Sequence, residues 1–171
     1  MLWLFNIKGK DEQMKIALLG FGTVGSGVYN ILKTNVAKLQ RVLPEEIEIK
    51  TALVREPELM QQTDVVFTSN INDITKDPEI ELVVEVMGGI TTAYDYVKAC
   101  LLAKKSVVTA NKNLIAVHGV ELTTLAKLED VYLYYEASVG GGIPWLVNLE
   151  RTRRVDVIKR VYGIFNGTSN Y

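Results

Sequence analysis

The chain has 171 residues, 48% hydrophobic and 23% charged, with 19 basic against 20 acidic side chains and a mean hydropathy of +0.13. A net charge of −1 excludes an overall basic field for nucleic acid, and the single cysteine excludes a disulfide framework or a CxxC site. No apolar run approaches the roughly 20 residues a bilayer needs. The opening Met1-Leu2-Trp3-Leu4-Phe5 lacks the basic start of a secretory signal, so a cytoplasmic soluble protein is expected.

Residues 1–13 read as an extension ahead of the fold, with Met14 a natural start. Lys15 to Leu19 is a short apolar run stopped by glycine, as a buried parallel strand would be. Val24, Val28, Ile31, Leu32, Val36 and Leu39 then recur at helical spacing, and Pro44 closes that connection. Further strands are expected at Ile47–Val54, Asp64–Thr68, Glu81–Val86, Ser106–Thr109 and Val131–Glu136, with helices over 92–104 and 119–128. Strand and helix alternating in this way imply a doubly wound, Rossmann-type α/β fold with a parallel sheet.

The pattern changes after Glu136. Gly140-Gly141-Gly142 breaks the chain, Pro144 suits the first turn of a helix over 145–153, and Val155 to Phe165 alternates with period two. These features mark a dinucleotide-binding domain over 14–137 and, at 138–171, the first helix and strand of a second, α+β domain. A unit of that size cannot bury a core of its own.

Gly20-Phe21-Gly22-Thr23-Val24-Gly25 matches G-x-G-x-x-G directly between a strand and a helix. The first glycine permits the tight turn, the second admits a pyrophosphate to the backbone, and the third lets helix and strand pack closely. The helix start offers free N–H groups and the positive end of the dipole to phosphates. The second strand ends at Val54-Arg55-Glu56. Arg55 favours the 2′-phosphate of NADP, while Glu56 suits the ribose hydroxyl of NAD. Gly88-Gly89 and Thr109-Ala110-Asn111-Lys112 follow the fourth and fifth strands, on the edge where ligands lie in such sheets. Gly88 and Thr109 are therefore candidate cofactor contacts. Lys112 is a candidate for holding a substrate oxygen or carrying a proton.

Three segments join these in carrying a family resemblance: Val84-Glu85-Val86-Met87-Gly88-Gly89, Tyr135-Glu136-Ala137-Ser138-Val139-Gly140-Gly141-Gly142-Ile143-Pro144 and Gly163-Ile164-Phe165-Asn166-Gly167-Thr168-Ser169-Asn170-Tyr171. From residue 14 onward the chain resembles the amino-terminal part of homoserine dehydrogenases. The resemblance implies NAD(P)-dependent interconversion of homoserine and aspartate 4-semialdehyde, on the route to threonine, methionine and isoleucine. It implies Phe21, Thr23 and Val24 at the cofactor phosphates and Lys112 at the nicotinamide and substrate. It also implies a sodium ion on the carbonyl oxygens of Glu136, Val139, Gly141 and Ile143, and a homo-oligomeric full-length enzyme without nucleic-acid or membrane partners. Family members continue well past the Asn-Gly-Thr-x-Asn-Tyr motif. That part supplies the acidic grip on homoserine and a second lysine for proton transfer. The chain as given is expected to bind cofactor and to turn over homoserine poorly.

Other residues carry weaker signals. His118, the only histidine, lies near the crevice but reads as structural. Another semialdehyde dehydrogenase or reductase on the same fold is the alternative among oxidoreductases, but the apolar helical neighbours of Cys100 suit packing and argue against a thiol mechanism. Arg151, Arg153 and Arg154 read as a solvated or interdomain surface rather than an anion site. A non-catalytic nucleotide-binding module on the same fold is the alternative from a different class.

Overall fold

The computed structural model describes residues 13–43, 45–60 and 63–163. The expected extension, apart from Gln13, lies outside the described residues, as do Pro44 and the closing segment with Asn166, Thr168 and Asn170.

Six parallel strands form one sheet: β1 (Met14–Leu19), β2 (Ile47–Leu53), β3 (Val66–Thr68), β4 (Ile80–Glu85), β5 (Ser106–Thr109) and β6 (Leu133–Tyr134). Their spatial order is β3-β2-β1-β4-β5-β6, the doubly wound arrangement expected from the alternation of elements. Register aligns the carboxyl ends of the central strands. Leu19 pairs with both Leu53 and Glu85, and Glu85 pairs with Thr109. The turns after β1, β2, β4 and β5 therefore emerge on one edge, and the winding reverses between β1 and β4.

The helices are α1 (Thr23–Thr34), α2 (Val36–Leu39), α3 (Asn72–Thr75), α4 (Thr91–Leu102), α5 (Lys112–Leu128) and α6 (Trp145–Thr152). Strand alternation feeds two cores. Ala17 and Leu19 face one with Val83, Val97, Leu101, Leu114 and Leu122; Ile16 and Leu18 face the other, with Ile49, Ala52 and, from α1, Val28 and Leu32. The sheet is thus covered on both sides, α1 on one face and α3, α4 and α5 on the other. Among the described residues no helix is long and apolar enough to cross a membrane.

Several boundaries differ from the sequence reading, each for a local reason. The first helix breaks at Asn35, whose backbone leaves the helical region (φ −110°, ψ 21°). The helix expected over 119–128 begins seven residues earlier, at Lys112, because the Asn111 side chain caps it by accepting the Leu114 N–H at 3.1 Å. The last strand shrinks to Leu133–Tyr134, paired only with Val107 and Val108 of the short β5. The strand expected from Val155 has no ladder over 155–163. Val155 and Val157 stand 87% and 85% exposed, and residues 155–163 pair with no strand among the described residues.

Candidate functional site

The glycine turn is built as the fingerprint requires. Gly20 lies in the left-handed region at φ +100°, and a Cβ there would sit 3.3 Å from the Val86 carbonyl oxygen. At Gly25 a Cβ would fall 2.3 Å from the Gly20 carbonyl oxygen, so only glycine lets α1 pack on the end of β1. Gly22 opens α1, and a Cβ there would meet nothing within 4 Å. Among the described residues no side chain caps the first turn of α1, and no acidic residue lies in it, leaving its amides and positive dipole end open to an anion. Thr23 and Val24 are exposed at this turn. Phe21 turns its ring inward against Phe67 and Tyr29, with centroids 5.0 and 5.7 Å away, so only its backbone remains for a phosphate.

On the same edge, Arg55 and Glu56 are exposed just past β2, and Arg55 forms no ion pair among the described residues. Gly88 is exposed after β4, followed by Gly89 at φ +84°. Lys112 is exposed at the first position of α5, without an ion pair among the described residues. A cation at a helix amino terminus opposes the dipole, so this position is locally unfavourable and suits a ligand of opposite charge.

Thr109 departs from the sequence reading. Its side chain is fully buried and its hydroxyl donates to Glu85, not into the crevice. Glu85 itself went unselected among the sequence candidates, although a carboxylate inside an apolar run was the signal for it. It is fully buried, and burial raises its pKa against the opposing hydrogen bonds from Thr109, the Met87 N–H and Asn111.

The joint after β6 is also organised. Both carboxylate oxygens of Glu136 cap α6, accepting the N–H groups of Leu146 and Val147 at 3.0 and 3.1 Å. Gly140 and Gly141 both adopt positive φ, +79° and +64°, which reverses the chain there. The Glu136 and Ile143 carbonyls each accept one backbone N–H, from Val139 and Trp145, and each keeps a second lone pair.

The remaining sequence candidates take structural places. His118 packs against Tyr94 with ring centroids 4.1 Å apart and the planes tilted by 32°, joining α5 to α4. Cys100 is buried on α4, and burial pushes its thiol pKa up to about 12, which does not suit a nucleophile. Arg151, Arg153 and Arg154 are exposed.

The strand order and the glycine turn together define a dinucleotide-binding domain. The family model described as "Homoserine dehydrogenase, NAD binding domain" matches residues 20–136. The chain belongs to the homoserine dehydrogenase family. It is 46% identical over 165 residues to the homoserine dehydrogenase of Lactococcus lactis subsp. lactis, covering 92% of this chain and 38% of that protein. Against the Bacillus subtilis enzyme it is 42% identical over 163 residues, covering 94% and 38%. A crystal structure of a homoserine dehydrogenase from Thiobacillus denitrificans superposes with a TM-score of 0.75 at 37% identity, over 81% of this chain and 32% of that one. The chain therefore spans about 38% of the length of these curated relatives.

Proposed function

We propose that this chain supplies the cofactor-binding part of an NAD(P)-dependent homoserine dehydrogenase, interconverting L-homoserine and L-aspartate 4-semialdehyde in threonine, methionine and isoleucine biosynthesis. Its main support is one shared edge, carrying both the acid-free start of α1 at the Gly20–Gly25 turn and, at the start of α5, Lys112, which has no ion pair among the described residues. Residues 14–137 form the dinucleotide-binding domain in this reading, and 138–171 open the catalytic domain. The complete enzyme is cytoplasmic and homo-oligomeric and acts on small molecules.

The amides of Phe21, Thr23 and Val24 hold the phosphates, with Gly20, Gly22 and Gly25 keeping side chains out of the way. Arg55 draws a 2′-phosphate, which favours NADP, and the adjacent Glu56 leaves NAD acceptable. The bound nicotinamide supplies hydride acceptance and donation. Gly88 gives it backbone room, and Lys112 is the catalytic cation that orients the substrate oxygen and stabilises negative charge on it. The carbonyls of Glu136, Val139, Gly141 and Ile143 fit sodium. They are neutral oxygen donors on a turn that two left-handed glycines reverse, and a hard monovalent cation takes such ligands.

Titrating the purified chain with NADP and NAD tests the assignment. NADP is expected to bind more tightly, and Arg55→Ala to lose that preference by about tenfold while NAD binding holds. Tighter binding of NAD overturns the NADP preference, and binding of neither overturns the reading. Lys112→Met is expected to leave phosphate-driven binding largely intact and to abolish any residual turnover. Homoserine oxidation by this chain is expected to be slow, and a steady rate matching a full-length relative overturns that expectation. A thermal melt in sodium against choline chloride reads the ion site as a rise of a few degrees.

A further inference from the structure

Glu85 is a costly residue where it stands. It ends a central strand, its side chain has no solvent exposure, and it has no ion pair among the described residues. Its backbone already serves the sheet, and its carbonyl accepts the Ala110 N–H at 3.1 Å. An apolar side chain would fill the same space without the desolvation cost of a carboxylate.

The carboxylate collects donors that the ladder leaves over at the crevice. Oε1 accepts the Met87 N–H at 2.8 Å, which fixes the turn after β4. Oε2 accepts the Thr109 hydroxyl, and that hydroxyl oxygen accepts the Asn111 N–H at 3.0 Å. Asn111 then reaches both ways. Its Nδ2 donates to the Gly89 carbonyl at 2.8 Å, and its Oδ1 caps α5 at Leu114, two residues after Lys112. A third segment joins through Ser138, whose hydroxyl donates to the Thr109 carbonyl at 2.8 Å.

We infer that Glu85 is a positioning residue: through Thr109 and Asn111 its buried carboxylate holds the Met87–Gly89 turn and the start of α5 as one rigid wall of the cofactor crevice. This rests on the reading of that crevice given above. The chemistry asks for a carboxylate there because it is acceptor-only and can take a donor on each oxygen. The direction of the Thr109 hydroxyl follows, and with it the acceptor that orients Asn111. In Glu85→Gln one oxygen becomes an NH2. Facing Met87 it opposes another donor, and facing Thr109 it forces the hydroxyl proton away from its acceptor.

Amide hydrogen exchange read by NMR, with NADP titration of the same samples of this chain, tests the role. Glu85→Gln and Thr109→Val are each expected to weaken NADP binding about tenfold, since each leaves a buried polar group unpaired. Both are expected to lose slow exchange at Met87 and Asn111 while Leu18 and Val83 in the sheet keep theirs. Thr109→Ser retains the hydroxyl and is expected to restore affinity and protection together. Wild-type affinity in both variants overturns the inference. So does protection lost equally at Leu18 and Val83, which marks a purely structural role. If Glu85→Gln does not fold, Thr109→Val and Thr109→Ser carry the test. Failure of the unsubstituted chain to bind NADP overturns the crevice reading and the inference with it, whereas normal binding by the unsubstituted chain and by both variants overturns the inference alone.

Discussion

Residues 14–134 and residues 145–163 answer the same kind of sequence pattern in opposite ways. In the first stretch β1 is almost wholly buried and two cores close on either side of the sheet. In the second, no described residue is buried, and Val155, Val157 and Tyr162 stand more than 80% exposed. α6 nevertheless forms, because a helix satisfies its backbone locally and Glu136 supplies the cap. The expected strand does not, because a strand's hydrogen bonds belong to its neighbour. Patterning suffices for a helix; a strand needs a partner edge as well.

The sharpest contrast is between a glycine of the first stretch and one on the turn that leads into the second. Gly25→Val is expected to cost about 3 kcal/mol or more and to abolish NADP binding, since its Cβ would fall 2.3 Å from a backbone oxygen. Gly142→Ala meets open space, so its effect is expected within about 0.5 kcal/mol. Urea titration of the two variants reads the difference, and equal losses would break the comparison. Core truncation repeats the contrast on a smaller scale. Leu122→Ala on α5 is expected to cost about 3 kcal/mol and Val157→Ala no more than about 0.5.

A further substitution separates local from global stability. Glu136→Ala removes both acceptors from the start of α6. The expected loss is about 1 kcal/mol of helix stability, seen as faster exchange at the Leu146 and Val147 amides. The melting temperature of the sheet is expected to hold. If it falls in step, α6 and the sheet unfold as one unit and the two stretches are not independent.

Most of the fold was legible because its signals are local. Short apolar runs ending at glycine became β1 and β4, and Gly20 and Gly25 stand where a side chain would be strained or would clash. The start of α5 was missed because its evidence lies in one cap, Asn111, ahead of a helix with Gly119 in its interior. Within the site, the loops that carry Arg55, Gly88 and Lys112 reach one edge as the strand order requires. The direction of the Thr109 side chain could not be read from sequence, since it depends on Glu85 arriving opposite it across the β4–β5 ladder. Spacing locates a loop on an edge; cross-strand register decides which way its side chains turn.

The smallest expected effect lies at the opposite end of the sheet from the crevice. Glu79 receives ion pairs from Lys15 of β1 and Lys50 of β2, and Lys50 also pairs with Asp77. The bond from Lys15, then that from Lys50, lowers the Glu79 pKa to about 2 from an ordinary 4.5. A lowered carboxylate pKa means that the unfolded chain takes up the proton first. The stabilisation is therefore complete above about pH 4.5 and is lost as pH falls towards about 2. Glu79 is 52% exposed, so solvent and salt screen much of it. The melting temperatures of the unsubstituted chain and Glu79→Gln, followed from pH 6 to pH 2, are expected to converge in that window, with a smaller gap throughout at high salt. Because the cluster clamps β1, β2 and the turn before β4, exchange at the α6 amides is expected to ignore the substitution at every pH. A gap that widens on acidification reverses the sign and removes Glu79 from the forces that distinguish the buried sheet from the exposed stretch after it.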